Sequence, residues 1–293
     1  MNPHVFSYPS MGTEWKITIW DDISKDRFLD LIKEIVKKSE KFDLTYSRFK
    51  PESFVSKISQ KKGEFSVEKD FMNMLVWYRK FYLLSEKKLN PLIGFTISDL
   101  GYDAEYSLIP KKEIRKTPDL FDTVEIVGED MIRTKEPVLF DFGALGKGYF
   151  VDVIANFLRE NGVERFLVDG SGDVFYEGGG ISIVMGLEHP YDPTKVIGSV
   201  SLKRGAMCSS GTNRRRWANL THVIDPHKNT SVEEFIIASW VTGDTAVFTD
   251  GLATCLFFCS PESFSSMGNF EYCLARKDLK IKKSPGFEVE LFV

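Results

Sequence analysis

The chain has no run approaching ~18 uninterrupted apolar residues, so no segment reads as a membrane-spanning helix. Its first residues, MNPHVFSYPSMGTEWKITIW, show no basic stretch leading into an apolar one and no lipid-attachment cysteine. Both absences point to a cytoplasmic protein. A basic excess is lacking too: 38 Lys and Arg against 42 Asp and Glu give a net charge of −4. That excludes the charge pattern of a general nucleic-acid binder. The one basic cluster, Arg214, Arg215 and Arg216, reads first as a solvated turn. Cysteine is scarce, and Cys208, Cys255, Cys259 and Cys273 form no CxxC pair, which favours buried, reduced thiols. No internal repeat, heptad or low-complexity linker is visible.

What is present suits a globular enzyme. Apolar residues make up 43% of 293, enough for a sizeable core without staples. Alternation predicts a strand over 14–20, and helical spacing of Phe28, Leu31, Ile32, Ile35 and Val36 predicts a helix over 24–41 capped by Ser24. A second helix is expected over 66–87, with Ser66 as its cap, and a loop over 46–59. Short strands joined near Gly128 fill 123–140. A helix over 149–161 ends at Asn161-Gly162. Strands follow, then a polar loop SSGTNRRRW, and a last helix near 243–258. Helices and strand clusters without a regular βαβ rhythm indicate an α+β fold with mainly antiparallel strands. We expect one compact unit over 1–293, built of two closely packed lobes.

Four stretches carry possible chemistry. DFGALGKGY, from Asp141 to Tyr149, sets Gly143, Gly146 and Gly148 around Lys147 just before a helix. Such a turn either cradles an anion with backbone N–H groups or is simply tight. It matches neither a Walker A loop nor a GxGxxG loop in a βαβ unit. DGSGD offers Gly170 and Gly172 for a sharp turn or a close approach to a flat ligand. THVIDP places His222, an imidazole able to act as a general base or to serve only structure. TDGLAT puts Asp250 and Thr254 at i and i+4 on one helical face. A carboxylate and a hydroxyl without neighbouring His or Cys suit a hard cation such as Mg²⁺, or else an internal hydrogen bond.

In this order MGTEW, SRFKPES, DFGALGKGYFVD, VDGSGD, SSGTNRRRW, HVIDP and TDGLAT resemble the FAD:protein FMN transferase (ApbE-like) family, from about Met11 to Phe258. The resemblance implies Mg²⁺-dependent transfer of the FMN half of FAD to a Thr or Ser hydroxyl of an acceptor protein, with release of AMP. An FAD pyrophosphatase giving FMN and AMP, or a non-catalytic FAD-binding protein, are the alternatives it leaves. It assigns the backbone carbonyl of Ala144 and the side chains of Asp250 and Thr254 to the metal. Met11, Asp141, Lys147 and Ile224 fall at nucleotide-binding positions, joined by Phe49, Asn90, Pro91, Gly170 and Gly172, and His222 is the implied base. This chain departs at Phe49, where the family commonly has Tyr. It departs again at Asn90 to Gly94, where the family often has Asp-Pro-Thr-Val-Gly, and at Thr212-Asn213, where it has Asp-Tyr.

Overall fold

The computed structural model describes residues 2–213, 215–232 and 235–292. Arg214, within the basic run, lies outside them. His4–Ser10 (β1) and Thr13–Ile19 (β2) form a hairpin through Met11 and Gly12. Both turn residues have positive φ, 50° and 71°, as a two-residue hairpin turn requires. Next come Lys25–Tyr46 (α1), Phe54–Ile58 (α2), Gly63–Ser66 (β3), Lys69–Leu84 (α3), Gly94–Asp99 (α4), Leu120–Thr123 (α5), Val124–Ile126 (β4), Met131–Thr134 (β5) and Gly146–Glu160 (α6). Phe166–Asp169 (β6), Asp173–Glu177 (β7), Ile183–His189 (β8), Asp192–Leu202 (β9) and Arg204–Gly211 (β10) follow. Four two-residue strands, Arg216–Trp217 (β11), Leu220–Thr221 (β12), Ile224–Asp225 (β13) and Thr230–Ser231 (β14), lead to Ile236–Gly243 (β15) and Ala246–Cys255 (α7). Phe270–Arg276 (β16), Ile281–Lys283 (β17) and Val289–Leu291 (β18) complete the order.

Eight strands make one sheet in the order β1-β2-β6-β7-β10-β15-β16-β17. Every neighbouring pair in it is antiparallel. Its central strands are buried on both faces. Phe175, Ala206, Cys208 and Val241 pack among helix residues such as Ile154, Leu158 and Leu252. Their strand neighbours Val174, Tyr176, Met207 and Trp240 face the other way, onto Leu187, Val200 and Leu202 of a second sheet ordered β18-β9-β8. The two-residue period of a strand thus builds helix, sheet and sheet in three layers. A small sheet, β3-β5-β4, stands apart from these. The fold is α+β with mainly antiparallel strands, as the sequence indicated.

Several boundaries differ from expectation. Ser24 caps α1, its Oγ accepting from Arg27 N at 3.2 Å. The helix runs on to Tyr46 because Phe42 and Tyr46 extend its buried stripe. The expected loop over 46–59 contains α2, capped by Ser53. Ser66 does not cap α3: it pairs with Met131 in a ladder, and Glu68 takes the cap position without a side-chain bond. The supposedly polar loop begins as strand, since Ser209, Ser210 and Gly211 pair with Trp240, Ser239 and Ala238. All four cysteines are free thiols. Among the described residues no helix is long and apolar enough to cross a membrane.

Candidate functional site

The site rests on the crossing of α6 and α7. α6 starts at Gly146, earlier than the sequence suggested, so two of the glycines belong to its first turn. At Gly148 a Cβ would lie 2.3 Å from the Ala246 carbonyl oxygen and 2.6 Å from Asp250 Cβ. The glycine is therefore needed by the helix contact, not by a ligand. Its N–H donates to Asp250 Oδ2 at 2.9 Å, and Gly146 N–H donates to the Phe142 carbonyl at 2.7 Å. The anion that meets the start of α6 is thus the protein's own carboxylate. α6 returns the favour to α7: Asp152 accepts from Ala246 N and Val247 N, both at 2.8 Å, in place of a cap by Thr245. Burial pushes the Asp152 carboxyl up to about 6, against the lowering effect of those two bonds. Gly148→Ala is expected to cost about 1–3 kcal/mol by overpacking, measured by denaturant unfolding.

Beside this crossing lies a cavity of about 430 Å³, within the roughly 300–1,000 Å³ usual for small-molecule sites. Ala144, Lys147, Asp250 and Thr254 all line it, together with Asp141, Gly172, Asn90, His222 and Ile224. Lys147 is ion-paired with Asp173, which is fully buried. Burial works against the lysine's charge, but Asp173 and Asp250 outweigh it and raise its pKa. For Asp250 the balance goes the other way. Burial, reinforced by the charge of Asp173, lifts its carboxyl well above the ordinary range, with Lys147 only partly compensating. Asp173 Oδ1 is buried and bonded to nothing. Two buried carboxyls against one lysine leave room for another positive charge. Among the described residues no three His, Cys, Asp or Glu side chains cluster as a metal cage. The available donors are oxygens, few in number, which fits an ion that keeps water and takes ligands from a substrate.

The remaining wall is organised by side chains that hold other side chains. Asp141 accepts from Arg48 Nε at 2.5 Å and from Gly143 N at 2.7 Å. Arg48 is buried and also donates to the Tyr102 carbonyl at 2.7 Å. Tyr78 hydroxyl donates to the Asp141 carbonyl and accepts from Ala144 N, which fixes the loop between them. Asn90 uses both ends of its amide, accepting from Leu92 N at 2.9 Å and donating to the Pro118 carbonyl at 2.8 Å. An aspartate there could not make the second bond. Gly172 has φ +102° and follows Asp169, whose Oδ1 accepts from Ser171 N and Gly172 N.

Four expected residues are not on the cavity wall. Pro91 offers its carbonyl to Asp141 N at 2.8 Å and so supports the wall from behind. Phe49 stacks on Tyr106 at 5.2 Å and lies under the Arg48 guanidinium at 4.1 Å. Gly170 makes room for Trp15, whose ring would lie 3.0 Å from a Cβ. Met11 occupies the hairpin turn and packs on the core, and it is Thr13 that reaches the cavity.

His222 lines the cavity with Nδ1 shut from solvent and unbonded. Burial, then the charges of Arg215 and Lys147, lower its pKa to about 4, so it is neutral at pH 7 rather than poised there. Sequence reasoning passed over Asp173, Arg48, Tyr78 and Asp152. Asp173 closes the DGSGD motif and was the available signal: a carboxylate leading straight into the apolar run Val174, Phe175 and Tyr176. Arg48 was signalled only as a lone cation between Ser47 and Phe49, and Tyr78 and Asp152 looked like ordinary helix positions.

Comparison with known proteins bears on this geometry. An FAD:protein FMN transferase of Vibrio cholerae is 22% identical over 271 residues, covering 87% of this chain and 81% of that one. Another, of Chlamydia trachomatis, is 22% identical and covers 84% and 81%. Among solved structures, the ApbE protein of Thermotoga maritima superposes with a TM-score of 0.85 at 20% identity, covering 98% of both chains. The flavin transferase ApbE of Vibrio cholerae gives 0.78 at 20%, covering 97% and 96%. These likenesses establish the fold. The family model described as ApbE matches residues 11–272, which is most of the sequence, and the chain belongs to that family.

Proposed function

We propose that this protein transfers the FMN moiety of FAD to a Thr or Ser hydroxyl of an acceptor protein and releases AMP. The whole chain, 1–293, acts as one domain in this reading. The names of the relatives agree with it. The observation that carries it is the charge arrangement on one cavity: Asp250, Thr254 and Ala144 beside the Lys147–Asp173 pair, with His222 on the same wall. Asp250, Thr254 and the Ala144 carbonyl would hold Mg²⁺, which when bound supplies charge neutralisation at a pyrophosphate. Lys147 faces the same negative charge.

The acceptor oxygen forms a new bond to the FMN phosphorus, and the bond from that phosphorus to the bridging oxygen breaks. AMP leaves with the bridging oxygen, and the hydroxyl proton passes to the neutral His222. Asp141, oriented by Arg48, Gly143 and Pro91, and Ile224 and Gly172 would position the nucleotide. Met11, Phe49 and Gly170 would act from one layer further out. The four unpaired thiols fit a cytoplasmic setting.

Chromatography of FAD incubated with the protein and Mg²⁺ separates this reading from its rivals. Transfer predicts AMP release that depends on an acceptor. Equal FMN and AMP in solution without acceptor would make the protein a pyrophosphatase. FAD that stays intact throughout would make it a binding protein.

A further inference from the structure

The reaction needs a protein segment to bring a hydroxyl to the cavity, and one sheet edge borders that cavity. β8 is the edge of the sheet β18-β9-β8, and among the described residues its only ladder partner is β9. Met185, Gly186 and Glu188 of β8 all line the cavity. Gly186 has no side chain, so it is the main chain of β8 that borders the cavity there, beside the Met185 side chain.

Three other edge strands carry features that discourage pairing. β1 contains Pro9, and β17 is three residues long with Lys282 and Lys283. β18 is also three residues long. β8 is seven residues long, IVMGLEH, without Pro or Lys, and it carries Val184 at 73% exposure. Val196, which packs against the Gly186 position from β9, is exposed as well. A seven-residue edge that is apolar from Ile183 to Leu187, with its carboxylate, Glu188, held to the end of the strand, invites another strand.

We propose that the acceptor docks by β-augmentation. An extended segment pairs with the edge of β8 away from β9, sets apolar side chains against Val184 and Val196, and carries its Thr or Ser into the cavity. Main-chain bonds supply the affinity, and alternate side chains the selection. The proposal rests on the transferase reading above.

The probe is a pool of randomised 12-residue peptides with a fixed central Thr, incubated with FAD, Mg²⁺ and the full chain, with FMN-bearing peptides read by mass spectrometry. Labelled peptides are expected to show alternating apolar residues around the Thr. N-methylation of alternate amides in a labelled peptide is expected to cut labelling about tenfold or more, since a lost pair of hydrogen bonds is worth about that. Methylation at the intervening amides leaves labelling unchanged.

Ile183→Pro and Val184→Pro give the complementary test. Neither residue lines the cavity. One of the two amides points outward and the other toward β9. The variant that keeps wild-type melting and FAD binding is expected to raise the peptide KM about tenfold or more. Labelling by the wild type that ignores both N-methyl patterns and survives the folded proline variant would overturn β-augmentation while leaving transfer intact. Pairing of β8 with a second copy, seen as a dimer that the proline variant dissociates without changing peptide KM, would also overturn it. A wild type that labels no peptide would sink the transferase reading, and this proposal with it.

Discussion

Asp250→Ala is expected to lower flavin transfer by about a thousandfold or more, because a metal's charge stabilisation at a phosphoryl centre is worth several kcal/mol. The carboxylate has two roles, and two variants separate them. One oxygen accepts the Gly148 N–H at the α6–α7 crossing. Asp250→Asn keeps an acceptor for that bond but removes the charge. Its transfer rate should fall nearly as far as that of the alanine variant. Its stability should hold or rise, because Asp250 ionises against burial and against the charge of Asp173. The linkage sign is definite. A carboxyl whose folded-state pKa lies above its unfolded value binds its proton more tightly when folded, so its effect turns against stability as pH rises above the usual carboxylate range. The asparagine variant lacks that penalty. Mg²⁺ should accordingly stabilise the wild type in thermal melts and leave Asp250→Asn unmoved. Full-rate transfer by either variant would remove Asp250 from the chemistry.

His222→Ala should reduce transfer by about 10²–10⁴-fold, the usual contribution of a general base, while FAD binding changes little. The pH profile is the sharper readout. Because burial and the charges of Arg215 and Lys147 hold the imidazole near pKa 4, the acid limb of kcat/KM for FAD should fall near pH 4 and not near 6.5. Bound pyrophosphate brings negative charge beside the same cations, so the acid limb of kcat should lie higher than that of kcat/KM. In the folding equilibrium the sign is that of a depressed group. The neutral ring's contribution is complete above pH 6.5 and is lost as pH falls toward about 4. A limb near 6.5 in both profiles would mean that the base is another group or that His222 is far more solvated.

The sequence made local features readable and left long-range ones hidden. α1 was legible because Ser24 and five apolar residues at helical spacing all lie within one segment. The end of α6 was legible for the same reason: Asn161 caps it and Gly162 takes φ +70°. Its start was not. Gly148 is a glycine because of Ala246 and Asp250, about a hundred residues away, and no pattern within DFGALGKGY reveals such a partner. The glycine-rich turn therefore resembled an anion cradle while serving a helix crossing. Its lysine does face the cavity, but with Asp173 already beside it.

The candidate site shows the same division. Asp250 and Thr254 could be paired from spacing on one helix. His222 stood out as a scarce imidazole, resemblance brought in Ala144 and Ile224, and the fold gathers all of these on one cavity. The supporting groups, Arg48 on Asp141 and Asp152 on the start of α7, were invisible because each bridges elements far apart in sequence. Phe49 and Gly170 show the reverse case. A ring and a glycine near a motif suggested ligand contacts, whereas their neighbours are Arg48 and Trp15.

The central claim is that this cavity cuts FAD in order to move FMN onto a protein hydroxyl. Intact-mass spectrometry of a Thr-bearing acceptor, incubated with FAD, Mg²⁺ and the full chain, tests it most directly. The expected result is an acceptor heavier by one FMN bound through phosphate, with one AMP released per adduct, and no adduct when the Thr is replaced by Val. AMP released with the acceptor unmodified, or an adduct that forms equally on the Val variant, would contradict it.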